Sequence, residues 1–189
     1  IQQGLQLDYA IAEMAKLWGK TIAVNGGCKL LQNSGLQCLF DKTDWQSLIA
    51  LNSPVILELN LSPTEKAYAV VTELKQGQLV FGLDLKTSFT VEQVMALWDG
   101  YYLMLWQAPF QNSLELRLGE SSEAVVWLKK RLGLESLGSN LFDEALKAEV
   151  MAFQQKNNLS ADGIVGPRTF IHLNNSDENN NAPKLNREN

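Results

Sequence analysis

The spacing of the apolar residues changes near Pro109, and this change constrains the fold more than any other feature of the sequence. Before it, PVILELNL has five Val, Ile or Leu residues in eight, which is typical of a buried strand. Two apolar runs then flank a Gln-Gly pair in KAYAVVTELKQGQLVFGLDL, which predicts a hairpin. YYLMLWQAP predicts a closing strand that ends at Pro109. Beyond it the apolar spacing is helical, so we expect one unit over 1–110 and a second over 114–174.

The first unit also contains helical segments, and its predicted class is therefore α+β with a mostly antiparallel sheet. LQLDYAIAEMAKLWGK has apolar residues at helical spacing and a stop at Gly19. A short helix in GGCKLLQNSG precedes a short strand, LQCLF. TDWQSLIALNS predicts another helix with Thr43 as its N-cap. In TVEQVMALWDG, Thr90 and Gln93 have the spacing of a capping box.

The second unit is predicted to be a small bundle of three helices. The first two carry apolar stripes, made of Val125, Leu128 and Leu132 and of Leu146, Val150 and Phe153. Gly166 followed by Pro167 is the favoured beginning of a third helix. The remainder, 175–189, is polar and rich in Asn, and we expect a flexible tail.

Charge and residue content exclude several function classes. The net charge is −5 and no segment is a basic block, so nucleic acid and anionic membranes are poor partners. The chain has one histidine, His172, and two cysteines, and it lacks a phosphate-binding loop of the GxxxxGK[ST] type. We therefore expect neither a metal site nor a cofactor. The chain begins at Ile1 without a Met or a leader, and we expect it to be a fragment of a longer protein.

The second unit resembles the peptidoglycan-binding domain attached to many bacterial cell-wall enzymes. The resemblance rests on LRLG at 116–119, VMAFQ at 150–154 and DGIVGPRT at 162–169, and it departs at Lys129, where the family has Gln. It implies that the loop before the last helix, with the helix N-terminus, forms the wall-binding surface. The candidate residues are Asp162, Gly163, Gly166, Arg168 and Thr169.

Different roles are expected within this loop. Asp162, Gly163, Gly166 and Pro167 are expected to build it, because Asp-Gly favours a turn and Gly-Pro favours a helix start. Arg168 and Thr169 are the candidates for contact, because a guanidinium binds carboxylates and a helix N-terminus offers free N–H groups. For any single residue of the signature, maintenance of the fold is the simpler interpretation.

The first unit resembles a papain-like domain related to the bacteriocin-processing cysteine peptidases. Active members have a Cys at the start of the first helix, then a His on the hairpin strand and an Asp after the next strand. Here 2–9 contains no Cys, Ala67 stands where the His is expected, and only Asp84 is left at the third position. A thiolate nucleophile needs a neighbouring base, so we expect no peptidase activity.

The two cysteines, Cys28 and Cys38, flank a predicted helix and turn with nine residues between them. Two cysteines that bracket a turn can reach disulfide distance, and in an oxidising compartment we expect a bridge. Two buried free thiols are the alternative.

The pairing of the two units resembles the periplasmic region of general secretion pathway protein A, a component of type II secretion. LQNSGLQCLF, LIALNSPVILEL and LWDGYYLMLWQAP contribute to this resemblance. It implies a periplasmic fragment of an inner-membrane protein with a separate cytoplasmic ATPase domain. The implied partners are peptidoglycan and a protein like general secretion pathway protein B. The implied role is a non-catalytic, wall-binding scaffold that helps the outer-membrane secretin assemble.

Two alternatives to this role stay open. The chain could be a cell-wall hydrolase or cysteine peptidase whose catalytic residues are unrecognised. It could also be a homo-oligomerisation module in which the wall-binding fold is vestigial.

Overall fold

The computed structural model describes residues 7–110, 114–134, 139–177 and 180–185. Among them the chain divides into two compact units. The first contains the residues up to Trp106 and returns after Asn180, and the second is Gln107–Asn180. No helix in the described residues is both long and apolar enough to cross a membrane.

The first unit is a sheet with helices, which confirms the predicted α+β class. Its helices are α1 (Leu7–Leu17), a 3-10 helix (Gly27–Ser34), α2 (Trp45–Ala50) and α3 (Val91–Met95). Its strands are β1 (Leu36–Lys42), β2 (Val55–Ser62), β3 (Glu65–Lys75), β4 (Gln78–Phe81), β5 (Thr87–Thr90) and β6 (Trp98–Gln107). They form one six-stranded sheet in the order β1-β6-β2-β3-β4-β5. Strand β2 is antiparallel to both of its neighbours.

The core of this unit lies between α1 and one face of the sheet. Ile11 and Met14 of α1 are 2% and 0% exposed and belong to one cluster with Ile56, Val70 and Leu103 of the strands. Burying a side chain of this size contributes about 1.5–3 kcal/mol. Helix α1 is therefore held by its apolar face, as its spacing predicts.

The structure confirms two of three local predictions in the first unit. The predicted hairpin is β3 and β4, and its turn has positive φ at both Gln76 (50°) and Gly77 (74°), as a tight hairpin turn requires. The capping box of α3 is present, with Thr90 Oγ1 accepting from Gln93 N–H at 3.2 Å. The predicted cap of α2 is wrong by one residue, because the Asp44 carboxylate, which accepts from Ser47 N–H at 2.9 Å, takes the place of Thr43.

The end of the hairpin and the start of β6 differ from expectation. The segment Thr87–Thr90 forms β5, which the sequence did not indicate because it is only four residues long. The helix predicted in TVEQVMALWDG stops at Met95, and Trp98 already belongs to β6. Trp98 is 9% exposed and pairs with Leu59 of β2, so sheet pairing overrides the helical spacing there.

The second unit consists of α4 (Glu123–Arg131), α5 (Glu144–Lys156) and α6 (Pro167–Asn175). Its buried core is Leu116, Ala124, Val125, Leu128, Phe142, Leu146, Val150, Val165, Phe170, Ile171 and Leu173. The predicted stripes are correct except at Leu132 and Phe153, which are half-buried. Beside Phe153, Gln154 is only 2% exposed, so a polar side chain occupies the core position.

The segment after Asn180 lies against the first unit. Leu185 is 2% exposed, its N–H donates to the Asn52 carbonyl, and its carbonyl accepts from Leu74 N–H, each at 3.2 Å. Leu185 is thus an apolar anchor at a position where the polar composition of 175–189 predicts a flexible tail. Positions 178–179 and 186–189 lie outside the described residues, and the tail stays a prediction there.

Candidate functional site

The loop between α5 and α6 is organised by the buried amide of Gln154. Its Oε1 accepts from Gly163 N–H at 2.9 Å, and its Nε2 lies 3.0 Å from Asp162 Oδ1 and 2.8 Å from the Ile164 carbonyl. Nε2 is also 3.2 Å from Thr169 Oγ1. An amide nitrogen has two N–H donors, so these three acceptors share them. One side chain on α5 thereby joins the loop to the first turn of α6.

The predicted wall contact at Thr169 is not supported by this geometry. Thr169 is 4% exposed, and its hydroxyl faces Gln154 inside the unit. Gly163 is buried as well, with φ of 74°, and a Cβ there would lie 2.7 Å from Lys147 Cγ. Gly163 shapes the loop, and Thr169 ties the first turn of α6 to it through Gln154. For Thr169 this corrects the expected role, because burial removes its side chain from any ligand outside.

Only some of the five predicted wall-binding residues are accessible to a ligand. Asp162 is exposed, although its Oδ1 also accepts from Ile164 N–H at 2.9 Å. Gly166 is the N-cap of α6, and Pro167 occupies the first turn, as predicted. Arg168 is half-buried one residue further along. Of the five predicted residues, Asp162 and Arg168 are thus the ones with functional side chains open to solvent.

Apolar side chains exposed near this loop were missed by the sequence analysis. Leu118, Leu141 and Ile164 are 42%, 40% and 36% exposed. Each comes directly before a residue that backbone pairing holds in the fold. Val165, which follows Ile164, pairs with Leu116. Gly119, which follows Leu118, donates its N–H to the carbonyl of Phe142, which follows Leu141. In the sequence, these three apolar residues stand out only by being next to signature residues that the fold holds in place.

Lys129 stands where the resembled family has Gln, and the structure gives it a structural role. It is 4% exposed, and its Nζ donates to the Ser139 carbonyl at 2.6 Å. Its amine therefore satisfies a backbone acceptor between α4 and α5, and the departure from the family pattern leaves the fold intact.

In the first unit, the strand register changes the assignment of the degenerate histidine position. Side chains alternate along β3, and Tyr68 and Val70 lie on the face that packs against α1. Ala67 therefore points to the opposite face. A base that serves a nucleophile at the start of α1 has to stand on the α1 face, so Tyr68, not Ala67, occupies the relevant position.

Tyr68 takes part in a polar cluster at the edge of a shallow depression. Its hydroxyl donates to Glu58 Oε2 at 3.1 Å, and the same carboxylate forms an ion pair with Lys66. Burial, followed by the charge of Glu58, raises the pKa of Tyr68. The depression is also lined by Leu7 and Tyr101. It contains a neutral phenol and a paired carboxylate where a peptidase needs a base.

Asp84, the remaining predicted member of a catalytic set, lies elsewhere. Its side chain is 88% exposed and faces Lys16 at 3.8 Å. It borders a different depression, shared with Tyr9, Glu13 and Ile22. Asp84 and Tyr68 thus line separate surfaces, and the structure does not bring the expected catalytic positions together.

The two cysteines are joined, in agreement with the prediction. Cys28 in the 3-10 helix and Cys38 in β1 form a disulfide, with their Cα atoms 5.9 Å apart. Both pack against the core beside α1. Neither thiol is therefore available as a nucleophile. Within the described ranges there is also no group of three or more His, Cys, Asp or Glu residues able to hold a metal ion.

These features define the class of protein. The first unit is a cysteine-peptidase-like α+β domain that has no histidine in its sequence, and a three-helix domain follows it. The family model described as GspA, peptidase C39-like domain, matches residues 1–108, and the chain belongs to this family. The peptidoglycan binding domain model matches residues 121–173. Both resemblances drawn from the sequence are thereby confirmed.

Similar proteins agree with this assignment over nearly the whole chain. General secretion pathway protein A of Aeromonas hydrophila is 27% identical over 183 residues, which are 92% of this chain and 33% of that protein. A relative from Escherichia coli (strain K12) is 24% identical over 170 residues, 87% of this chain and 35% of the relative. The chain thus spans about a third of the length of these relatives.

A solved structure also matches both units together. It is a periplasmic domain of the EpsAB fusion protein of the Vibrio vulnificus type II secretion system. The identity is 25%, the TM-score is 0.58, and the match covers 98% of this chain and 94% of the other. The order of the two domains is therefore shared with a protein of a secretion system.

Proposed function

We propose that this chain is a non-catalytic peptidoglycan-binding and scaffolding module of a type II secretion component, and that it helps the outer-membrane secretin assemble across the cell wall. The observation that carries the proposal is the pairing of a peptidase-like domain without a catalytic base and a peptidoglycan-binding domain in one chain. The EpsAB domain, which has the same extent, supports this reading. The location that goes with it is the periplasm, as part of an inner-membrane protein.

The wall-binding surface is assigned to the second unit. Asp162 and Arg168 offer a carboxylate and a guanidinium on either side of the N-terminus of α6. Peptidoglycan stems carry both carboxylates and amines, which such groups can bind. The exposed Leu118 and Ile164 add apolar area beside them. Gln154 and Thr169 act only by holding this surface in shape.

The first unit is assigned to protein contact, with a protein like general secretion pathway protein B as its partner. Its cysteines are bonded to each other, and the α1 face of its sheet carries Tyr68 and Glu58 in the catalytic region. A homo-oligomer belongs to the same proposal. No cofactor is required for any of these roles.

Sedimentation with purified sacculi tests wall binding. The intact chain is expected to sediment with sacculi, and Arg168→Glu is expected to release a large part of it. Lys130→Glu makes the same change of charge on the exposed side of α4 and serves as the matched control. Equal sedimentation of the Arg168→Glu, Lys130→Glu and unaltered chains would contradict the assigned surface, and failure of the unaltered chain to bind would contradict the function.

The alternative, a wall hydrolase or peptidase, has a separate test. Incubation of the chain with sacculi is expected to release no muropeptides. Release that disappears in Cys28→Ala or Asp84→Ala would replace the scaffold proposal with an enzymatic one.

A further inference from the structure

A depression with a volume of about 260 Å³ lies along α1 of the first unit. One wall is the helix face that carries Tyr9, Glu13 and Lys16, and Asp84 lines it from the loop between β4 and β5. Sites for drug-sized ligands measure roughly 300–1,000 Å³, so this one suits a smaller molecule. Neither the cluster around Tyr68 nor the wall-binding loop of the second unit involves these side chains.

The two polar walls are held in place by the fold itself. Helix α1 is fixed by its apolar face, which packs in the core cluster. In the loop, Gly82 N–H donates to the Val70 carbonyl, and Leu83 N–H donates to Glu13 Oε1, each at 2.9 Å. The second bond ties the loop directly to α1 and so positions Asp84 against the helix. A preformed site of this kind loses little conformational entropy when a ligand binds.

The third wall of the depression is mainly apolar. It is the segment that follows α1, from which Thr21, Ile22 and Val24 line the depression. Ile22 packs against the core cluster, and Val24 is exposed. A ligand with a small apolar part can bury that part against this wall and gain from the hydrophobic effect.

The charged groups that line the depression are incompletely paired. Lys16 Nζ lies 3.8 Å from Asp84 Oδ2, which is beyond the hydrogen-bond range of roughly 2.7–3.2 Å. Among the residues that the structure describes, neither side chain has another hydrogen-bond or ion-pair partner. Glu13 uses one oxygen for Leu83, and its Oε2 has no donor within the same described residues. One ammonium and two carboxylates are thus able to bind a ligand at the same place.

This combination of groups fits the head of an amino acid, which carries an ammonium and a carboxylate on one carbon. The ligand's carboxylate accepts from Lys16, and its ammonium donates to Asp84 and Glu13. Two charge-assisted hydrogen bonds then replace the long contact between Lys16 and Asp84. A simple anion is repelled by the two carboxylates, and a simple cation offers nothing to Lys16, so a zwitterion is the better match.

We propose that this depression binds the zwitterionic head of an amino acid, with Lys16 on its carboxylate, Asp84 and Glu13 on its ammonium, and its side chain along Ile22 and Val24. The site lies wholly in the first unit, so binding there is independent of wall binding by the second. Two sources supply such a head: free amino acids, and wall stem peptides in which a diamino acid carries it at the end of a side chain. Because Lys16 and Asp84 are exposed to solvent, binding is weak, in the millimolar range.

An NMR titration of the full, isotope-labelled chain tests the site, because the Leu83 amide bonds to Glu13 and reports on it. Leucine is the probe, since it has the head and an apolar side chain. N-acetyl-leucine lacks the ammonium, and leucinamide lacks the carboxylate. We expect leucine to shift the Leu83 amide saturably and each blocked analogue to bind at least about fivefold more weakly. Equal responses to all three compounds, or no saturable shift with leucine up to its solubility limit, would overturn the proposal.

Two substitutions of exposed side chains separate the two charges of the head. Lys16→Gln is expected to abolish the preference for leucine over leucinamide, and Asp84→Asn is expected to reduce the preference over N-acetyl-leucine. Lys29→Gln, at an exposed position that does not line the depression, is the matched control and should bind leucine as the unaltered chain does. If Lys29→Gln weakens leucine binding as much as Lys16→Gln does, the effect is general electrostatics and the assigned site is wrong.

A disaccharide–tripeptide prepared from sacculi identifies the source of the head. If it shifts the Leu83 amide at the same concentration as leucine or at a lower one, the ligand is a wall stem. If it leaves that amide unmoved while leucine shifts it, the ligand is a free amino acid. Shifts of the α6 amides in the same titration report separately on wall binding by the second unit, so failure of one proposal is distinguishable from failure of the other.

Discussion

The side-chain oxygen of Gln154 accepts a hydrogen bond from the backbone N–H of Gly163 at 2.9 Å, and both groups are buried. Through this bond α5 holds the loop that the sequence singles out as a binding signature. The signature therefore contains two kinds of residue. Gly163 and Thr169 face inward to Gln154, while Asp162 and Arg168 reach solvent. Binding and stability of the second unit can consequently be altered separately.

Gln154→Ala is expected to destabilise the second unit by about 2–4 kcal/mol, because the buried N–H of Gly163 and the buried hydroxyl of Thr169 lose the amide to which they bond. Denaturant unfolding, followed by the fluorescence of Trp127 in a background where the other tryptophans are replaced by Phe, gives this difference. Gln155→Ala removes the same group from the exposed neighbouring position and is expected to change little. Equal stability of the two variants would mean that the buried amide network does not stabilise the loop.

Gly163→Ala is expected to destabilise the loop for two separable reasons. The φ of 74° is unfavourable for alanine, and the new Cβ would lie 2.7 Å from Lys147 Cγ. We expect a loss of about 1–3 kcal/mol from the strained backbone and the overpacking together. Adding Lys147→Ala removes the closest steric contact, leaves Met151 Cγ at 3.2 Å, and should recover some of the loss in a double-mutant cycle. Full additivity of the two substitutions would show that the contact with Lys147 has no role.

The features that were predicted correctly are those that neighbouring residues decide. The Gln76-Gly77 turn, the capping box of α3 and the Gly-Pro start of α6 each depend on a few consecutive residues. The helical stripe of α1 is equally local. These signals were sufficient to give the α+β class and the three-helix unit.

The features that were missed depend on contacts between distant segments. Tyr68 and Ala67 differ only in the face of β3 that they occupy, and that face is fixed by the pairing with β2. Thr169 looks like an exposed helix start until Gln154, fifteen residues earlier, covers it. Leu185 is one apolar residue in a polar tail, and only the first unit gives it a site to bury.

The Cys28–Cys38 disulfide is expected to stabilise the first unit and to leave the second unaffected. A closed loop of this length contributes about 3 kcal/mol by restricting the unfolded chain. Hydrogen exchange with and without reductant should show lower protection around α1 and β1 in the reduced protein. The amides of α4 to α6, whose unit contains no cysteine, are the internal control. The Cys28→Ala, Cys38→Ala variant should resemble the reduced protein and ignore reductant.

Glu73 is expected to contribute to acid unfolding. Hydrogen bonds from Lys75 and Lys86 lower the pKa of its carboxyl from 4.5 to about 2. Since the folded pKa is depressed, the contribution to stability is complete above pH 4.5 and is lost as the pH falls towards 2. The melting temperature should fall less steeply over this pH range in Glu73→Gln than in the unaltered chain. Glu65→Gln, an exposed change on the same strand, is expected to keep the original slope.

His172 should titrate below the ordinary histidine value of 6.5, because burial and then the charge of Arg168 both lower its pKa. The folded chain favours the neutral imidazole. The stability that His172 contributes is therefore complete above pH 6.5 and is lost as the pH falls through the pKa of the folded state. The chain has one histidine, and its ring signals in an NMR titration report this pKa directly. Arg168→Gln removes the smaller cause and should raise the pKa part of the way, whereas Lys130→Gln should leave it unchanged. A pKa at or above 6.5 in the unaltered chain would show that His172 is solvated and that α6 does not bury it against the second unit.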